Sequence, residues 1–337
     1  MANKLFLAII ILGILIRLYF VFSNVTRTDY LTTPLSQDNY MGYTKNLENG
    51  ALNNPQNSET RFFPWYPVSM LLINKTTLLP LAYAGLLINF VSLLTSIIIF
   101  WKLTKDRLST TIFSFFPPVW FFSPIKIATE PLTLFLLLLS LFFYLKKKYL
   151  ITGLLLGLST GVRLISVGLL FALLIFSIKN IKTKIIPLGV GYLLTFSLLI
   201  LYNLIIFKNV FYQIMLYPKI GGASGSSLSI IQIFADIIRT ISWHQYRILA
   251  SGLLYIAVAF ISAFLLYKYR NKKIVYKVSF LWLIFSLLFI FSFGPNPFLE
   301  EFRRFLIPAI PAVILGLTAP KELYLKFLKK IYYAKKS

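Results

Sequence analysis

The 337-residue chain has no cysteine and a single histidine. A disulfide framework, a thiolate metal site and a cysteine nucleophile are therefore excluded, and so is a multi-histidine metal site. Acids are scarce: ten Asp and Glu stand against 34 Lys and Arg, a formal net charge of +24. Only 13% of the residues are charged while 58% are hydrophobic, and the mean hydropathy of +0.78 is too high for a soluble surface. The basic excess does not call for nucleic acid, because the Lys and Arg fall in short clusters between apolar runs. That pattern belongs to cytoplasmic loops facing anionic membrane lipid. Composition thus predicts an all-α, polytopic transmembrane helical bundle.

Apolar runs of spanning length lie at about 4–23, 80–101, 109–125, 129–145, 185–207, 249–267, 276–293 and 304–319. A further run, 149–178, has lysines at both ends and Arg163 in its middle. Two helices of about 14 residues, forming a hairpin with Arg163 at its external apex, satisfy both constraints. The first run reads as a retained helix rather than a cleaved signal, since no small-residue cleavage site follows it. The expectation is one domain of about ten spans over 1–320, with both termini cytoplasmic and external loops at 24–79 and 208–248. On that scheme most basic residues lie inside, and of the acids only Asp106 and Glu322 do. Residues 321–337 alternate apolar and basic residues and predict a basic amphipathic helix on the inner leaflet.

The first external loop gathers Asp29, Asp38, Glu48 and Glu59. A helical segment there has Ser36 as a candidate cap and Asn49-Gly50 as its stop, with Tyr40, Met41, Tyr43 and Leu47 available to dock it. Asp38 falls in its first turn, either as a simple helix-start carboxylate or, partly desolvated, as a base for a hydroxyl. RFFPWYP (Arg61 to Pro67) cannot be one regular helix with its two prolines. It reads as a rigid interfacial element or as part of an aromatic belt, with Arg61 and Trp65 as candidate substrate contacts.

Glu130, directly before Pro131, opens a span; an acid and a proline suit a helix N-terminus, and the same place would set a carboxylate at the mouth of a cavity. Arg163 lies after Gly153, Gly157 and Gly161, which permit close helix approach, and favours an anionic partner over snorkelling. Glu300, Glu301, Arg303 and Arg304 crowd the start of the last span and are expected in part to neutralise one another. In the second external loop GGASGSS precedes an interfacial helical segment. His244 there is either a satisfied imidazole or, beside Trp243, Tyr246 and Arg247, a contact for phosphate or sugar.

The order of these segments resembles the GT-C superfamily of integral-membrane glycosyltransferases, and within it the PIG-V-like mannosyltransferases. The resemblance rests on Asp38-x-x-Met41-x-Tyr43 followed by Asn49-Gly50, on Phe62-Phe63-Pro64 with Tyr66-Pro67, on TEPLTLF with Glu130, on GLLLGLSTGVR with Arg163, and on FRRFLIPAIP. Gln37 stands where that family usually has Trp, and Met41 where it has Tyr. The likeness implies a polyprenyl (dolichyl-type) phosphate sugar donor, most often mannose, and a glycan or glycolipid acceptor at the external face. It implies inverting transfer with Asp38 as general base; the residues indicate no cofactor and leave a divalent metal open. Donor-phosphate and substrate contacts would then include Arg163, Arg303, Arg304, Glu130, His244, Arg247, Tyr43, Arg61 and Trp65. The corresponding compartment is a prokaryotic cell membrane, or the endoplasmic reticulum membrane in a eukaryote. Two other readings stay open on the residues alone: a transporter or flippase, and a noncatalytic membrane subunit.

Overall fold

The computed structural model describes residues 2–25, 40–50, 63–215, 237–242, 245–292 and 298–321. The described chain is helical, with no strand among these residues. In order the helices are α1 (Ala2–Val25), α2 (Tyr40–Glu48), α3 (Trp65–Thr77), α4 (Leu81–Thr104), α5 (Arg107–Phe115), α6 (Pro118–Phe122) and α7 (Glu130–Leu145). There follow α8 (Tyr149–Thr160), α9 (Val167–Phe176), α10 (Ile186–Phe207), α11 (Tyr246–Tyr269), α12 (Ile274–Ser292), α13 (Phe298–Phe305) and α14 (Ile310–Thr318). Five helical stretches are long and apolar enough to cross a membrane: 5–22, 81–104, 178–207, 246–269 and 274–292. Shorter apolar helices lie at 130–145, 149–160, 164–176 and 307–318.

Two rows of helices make the bundle. In one, α4, α7, α8 and α10 pack side by side, and in the other α9, α12, α11 and α14 do. The rows are joined where α14 meets α5 and where the turn 307–309 meets α7. α10 turns Leu193, Leu194, Leu198, Leu201, Leu204 and Ile205 outward, and α11 does the same with Leu253, Leu254, Phe260, Ile261 and Phe264. Side chains of this kind exposed along whole helices are at home in hydrocarbon rather than water.

Between α8 and α10 the backbones nearly touch. A Cβ built on Gly153 would come 2.0 Å from the Leu188 carbonyl oxygen, one on Gly157 2.0 Å from Thr195 Oγ1, and one on Gly191 2.2 Å from the Leu150 carbonyl oxygen. Thr195 adds a hydrogen bond across the interface to the Leu154 carbonyl at 2.9 Å. Small residues at every fourth position are what such contact requires, because between apolar helices in lipid close packing replaces the hydrophobic drive. Gly157→Leu is accordingly expected to separate α8 from α10 and abolish the monodisperse elution peak of detergent-solubilised protein. A wild-type elution profile would contradict this packing account.

Three expectations need correction. The run at 109–125 is not one helix: it breaks between α5 and α6 at Pro117-Pro118, where a proline cannot donate and its predecessor avoids helical angles. The carbonyls released at the break are taken up by side chains. Trp120 Nε1 donates to Phe113 O at 2.8 Å, and the wholly buried Arg17 donates to Ser114 O at 2.6 Å and Phe121 O at 3.0 Å. The last run likewise divides into α13, the 307–309 turn and α14, at Pro308 and Pro311. Third, the two arms around Arg163 do form, but they pack less on each other than on separate neighbours, α8 against α10 and α7, and α9 against α12.

At the far end of α4, Asp106 joins the last described residues to α5. Its carboxylate lies 2.9 Å from Lys321 Nζ and 2.6 Å from Ser109 Oγ, which in turn is 2.8 Å from Thr318 Oγ1. Burial raises the proton affinity of Asp106, but the hydrogen bonds from Ser109 and Lys321 and the Lys321 charge outweigh it and hold the carboxyl below its usual 3.8. A depressed folded-state value means the contribution is complete above the unfolded value and is lost as pH falls through the folded one. Wild type is therefore expected to lose thermal stability below pH about 4 more steeply than Asp106→Asn does. Parallel melting-temperature curves for the two proteins across that window would refute the linkage.

Candidate functional site

Four segments distant in sequence converge at the start of α7. The first is the connector before it. Asn89 of α4 donates to the Lys126 carbonyl, Tyr66 Oη lies 3.2 Å from Asn89 Oδ1, and Ile127, Ala128 and Thr129 are buried. Glu130 is thus delivered at a fixed point, with Pro131 behind it where the first-turn N–H has no helical partner to lose.

The second segment is α2 with α3. Tyr40 opens α2, its hydroxyl 3.4 Å from Thr129 Oγ1 and its ring edge-on to Tyr66 at 5.4 Å. Gly50, at φ 65°, lies just past the end of α2, as the Asn-Gly stop predicts. The prolines of RFFPWYP do break regularity at Pro64, but Trp65, Tyr66 and Pro67 form the first turn of α3, where a missing donor costs nothing. The Trp65 amide donates to the Gly161 carbonyl at 3.2 Å, and its indole lies where a Gly161 Cβ would be, 1.8 Å from Nε1. Any side chain at 161 would displace the Trp65 indole from the turn that carries Arg163.

The third and fourth segments are that turn and α13. Arg163, 7% exposed, donates through Nη1 to Glu130 Oε1, and Arg304 donates through Nε to the same oxygen at 2.5 Å. Glu130 itself is 1% exposed, and its Oε2 is buried with no hydrogen-bond partner. The Arg163 guanidinium also lies over the Phe305 ring, 4.8 Å from its centroid. One carboxylate so ties together α7, the α8–α9 turn and α13.

Of the described candidates, the structure joins Glu130, Arg163 and Arg304 through one carboxylate, sets Trp65 against Gly161 in the turn before Arg163, and gives Arg303, Arg247 and Tyr43 other surroundings. Arg303 points to Ser251 of α11 at 3.4 Å, and Arg247 is exposed in the first turn of α11. Tyr43 is wholly buried, its hydroxyl 2.7 Å from that of Tyr202 and 3.3 Å from Gln213 Nε2. Burial, and then Tyr202, pushes the Tyr43 phenol well above its ordinary value, and its hydroxyl contact with Tyr202 ties α2 to α10. Of the four charges at the start of the last span, Arg304 turns inward to Glu130, while the side chains of Glu300 and Glu301 lie outside the described residues. Asp29, Asp38, Arg61 and His244, the GGASGSS tract and the tail beyond Lys321 lie outside the described residues. Tyr202, Asn89, Thr129 and Phe305 were not legible as site neighbours, because nothing local distinguishes them from other apolar-helix residues. Among the described residues no group of three or more acids or histidines is placed to hold a metal ion. No family model, no curated protein and no solved structure matches the chain.

Proposed function

We propose that the chain is a membrane glycosyltransferase of the GT-C kind, with about ten spans and cytoplasmic termini, using a polyprenyl-phosphate sugar as donor. Mannose is the favoured sugar, on the resemblance of the ordered motifs to PIG-V-like mannosyltransferases. In the reaction the acceptor hydroxyl oxygen bonds to the anomeric carbon from the face opposite the leaving group, and its proton passes to the Asp38 carboxylate. The bond from anomeric carbon to phosphate oxygen breaks, and the lipid phosphate leaves with the electron pair. A leaving group that is already a phosphate needs cations rather than a general acid, which Arg163 and Arg304 supply.

The observation that carries this reading is the convergence of α2, α3, Glu130, Arg163 and Arg304, five features drawn from across the chain, at one end of α7. A spot where the loop helix that follows Asp38 lies against Thr129, and the neighbouring Glu130 gathers two guanidinium groups, suits a phosphate-leaving reaction. The transporter reading keeps one observation in its favour: Arg17, Glu130 and Arg163 are buried, and the helices at 116–117 and 161–166 are interrupted. Purified protein reconstituted in sealed lipid vesicles, supplied with a polyprenyl-phosphate mannose carrying a labelled sugar and a mixed glycolipid acceptor, tests the proposal. Release of free polyprenyl phosphate with label on the acceptor is the expected result; movement of intact donor across sealed vesicles without cleavage would refute it.

A further inference from the structure

Two buried atoms beside the 161–163 turn have no hydrogen-bond partner, and they are opposite in kind. Glu130 Oε2, on a side chain 1% exposed, is an acceptor without a donor, since the contacts from Arg163 and Arg304 go to Oε1. Trp65 Nε1 is a donor without an acceptor. Both residues border the same short turn: the Trp65 indole lies against Gly161, and Arg163, two residues further on, holds Glu130. A polar atom buried in that state costs stability, most of all on a charged group. The chemistry of a matching ligand follows from the two kinds of atom. An anion would suit the indole N–H and be repelled by the carboxylate oxygen, whereas a cation would suit the carboxylate and offer the indole nothing. A hydroxyl group both donates and accepts, so a neutral polyol suits both. The half-buried indole adds a flat apolar face on which the C–H side of a sugar ring can pack.

We infer that Glu130 and Trp65 read the sugar: Glu130 Oε2 accepts a hydrogen bond from one sugar hydroxyl, and Trp65 Nε1 donates to another oxygen of the same sugar. This rests on the transferase reading above and deepens it by separating recognition of the sugar from that of its phosphate. The sugar is the one the donor carries, because the guanidinium groups assigned to the donor phosphate hold Glu130 itself. Glu130 thereby acts through both oxygens, one fixing the arginines and the other meeting the ligand. Buried water is the rival occupant, since it too donates and accepts.

The test uses the full chain in detergent and reads binding, not turnover. The probes are farnesyl phosphate mannose, its monodeoxyfluoro analogues, in which one sugar hydroxyl at a time loses its proton, and farnesyl phosphate without sugar. One fluorinated analogue is expected to bind wild type at least about tenfold more weakly than the parent, the usual effect of losing a hydrogen bond to a charged acceptor. Glu130→Gln keeps an oxygen for the arginines and puts an amide N–H2 in the place of Oε2, where it cannot accept that proton. The same analogue and the parent should therefore bind this variant within about twofold of each other. Trp65→Phe keeps an aromatic ring without the N–H, and should weaken the parent while leaving affinity for farnesyl phosphate unchanged. Absent binding of the parent to wild type, or equal affinity for every analogue, the outcome if water satisfies both atoms, overturns the inference. So does a fluorine penalty undiminished in Glu130→Gln, or a Trp65→Phe loss shared equally by farnesyl phosphate. Should Glu130→Gln not fold, the infrared difference spectrum of wild type answers instead: the sugar-bearing lipid is expected to shift a carboxylate stretch that farnesyl phosphate leaves in place, and a carboxylate region unmoved by the sugar overturns the inference. The two failures are separable, because insensitivity to fluorine leaves the transfer assay untouched, and a negative transfer assay does not alter which hydroxyl is bound.

Discussion

Asp38→Asn is expected to lower turnover at least about 100-fold while donor binding persists, because positioned general bases contribute roughly 100-fold to 10,000-fold. Asparagine is nearly isosteric with aspartate and cannot take the acceptor proton, so the loss isolates proton transfer from shape. Removing a negative charge near a phosphate site cannot weaken the anion electrostatically, which is why the effect should fall on the rate and not on donor affinity. Asp29→Asn, altered in a segment without helical pattern, should stay within a few-fold of wild type. The described structure makes the contrast sharp: α2 begins at Tyr40, two residues after Asp38 in the chain, and Tyr40 is tied to Thr129 next to Glu130. Single-turnover rates on the two variants measure this directly. Collapse in Asp29→Asn with survival in Asp38→Asn would move the base and leave the helical architecture standing.

Hydropathy made much of the architecture legible, since a run of about twenty apolar residues has few other fates. Local signals also worked where the physics is local. Asn49-Gly50 stops α2 at a positive φ, Glu130-Pro131 starts α7, and Arg163 marks an interruption between two short helices. The break at Pro117-Pro118 was present in the sequence but hidden, because apolarity continues through it and hydropathy does not register a missing N–H. Partner choice was the illegible part. Glu130 and Arg163 are 33 residues apart, and Glu130 and Arg304 are 174 apart, so no period or spacing links them. Arg163 and Arg304 stand out in the sequence as cations in apolar surroundings, and in the structure both pair with the internal carboxylate of Glu130. Arg17 shows the same limit: its burial follows from carbonyls freed about a hundred residues later, at 114 and 121.

Glu130→Leu is expected to destabilise the folded protein by about 3–5 kcal/mol, the usual cost of removing one partner from a buried ion pair. The loss comes from the arginines left behind more than from the missing attraction: Arg163 and Arg304 are 8% and 12% exposed at the side chain, and each would keep its charge there without the Glu130 carboxylate. Replacing all three groups at once should therefore cost much less than the single change. In Glu130→Leu, Arg163→Met, Arg304→Leu the buried charges are gone and apolar volume fills their place, and such exchanges are often neutral in stability. Thermal unfolding in one detergent, read by intrinsic tryptophan fluorescence, compares the single and triple variants against wild type. A triple variant at least as unstable as the single one would mean the cluster is held by something other than its charges. Recovery of stability in the triple variant together with complete loss of sugar transfer would show that the chain retains an expensive buried charge cluster for its chemistry and not for its fold.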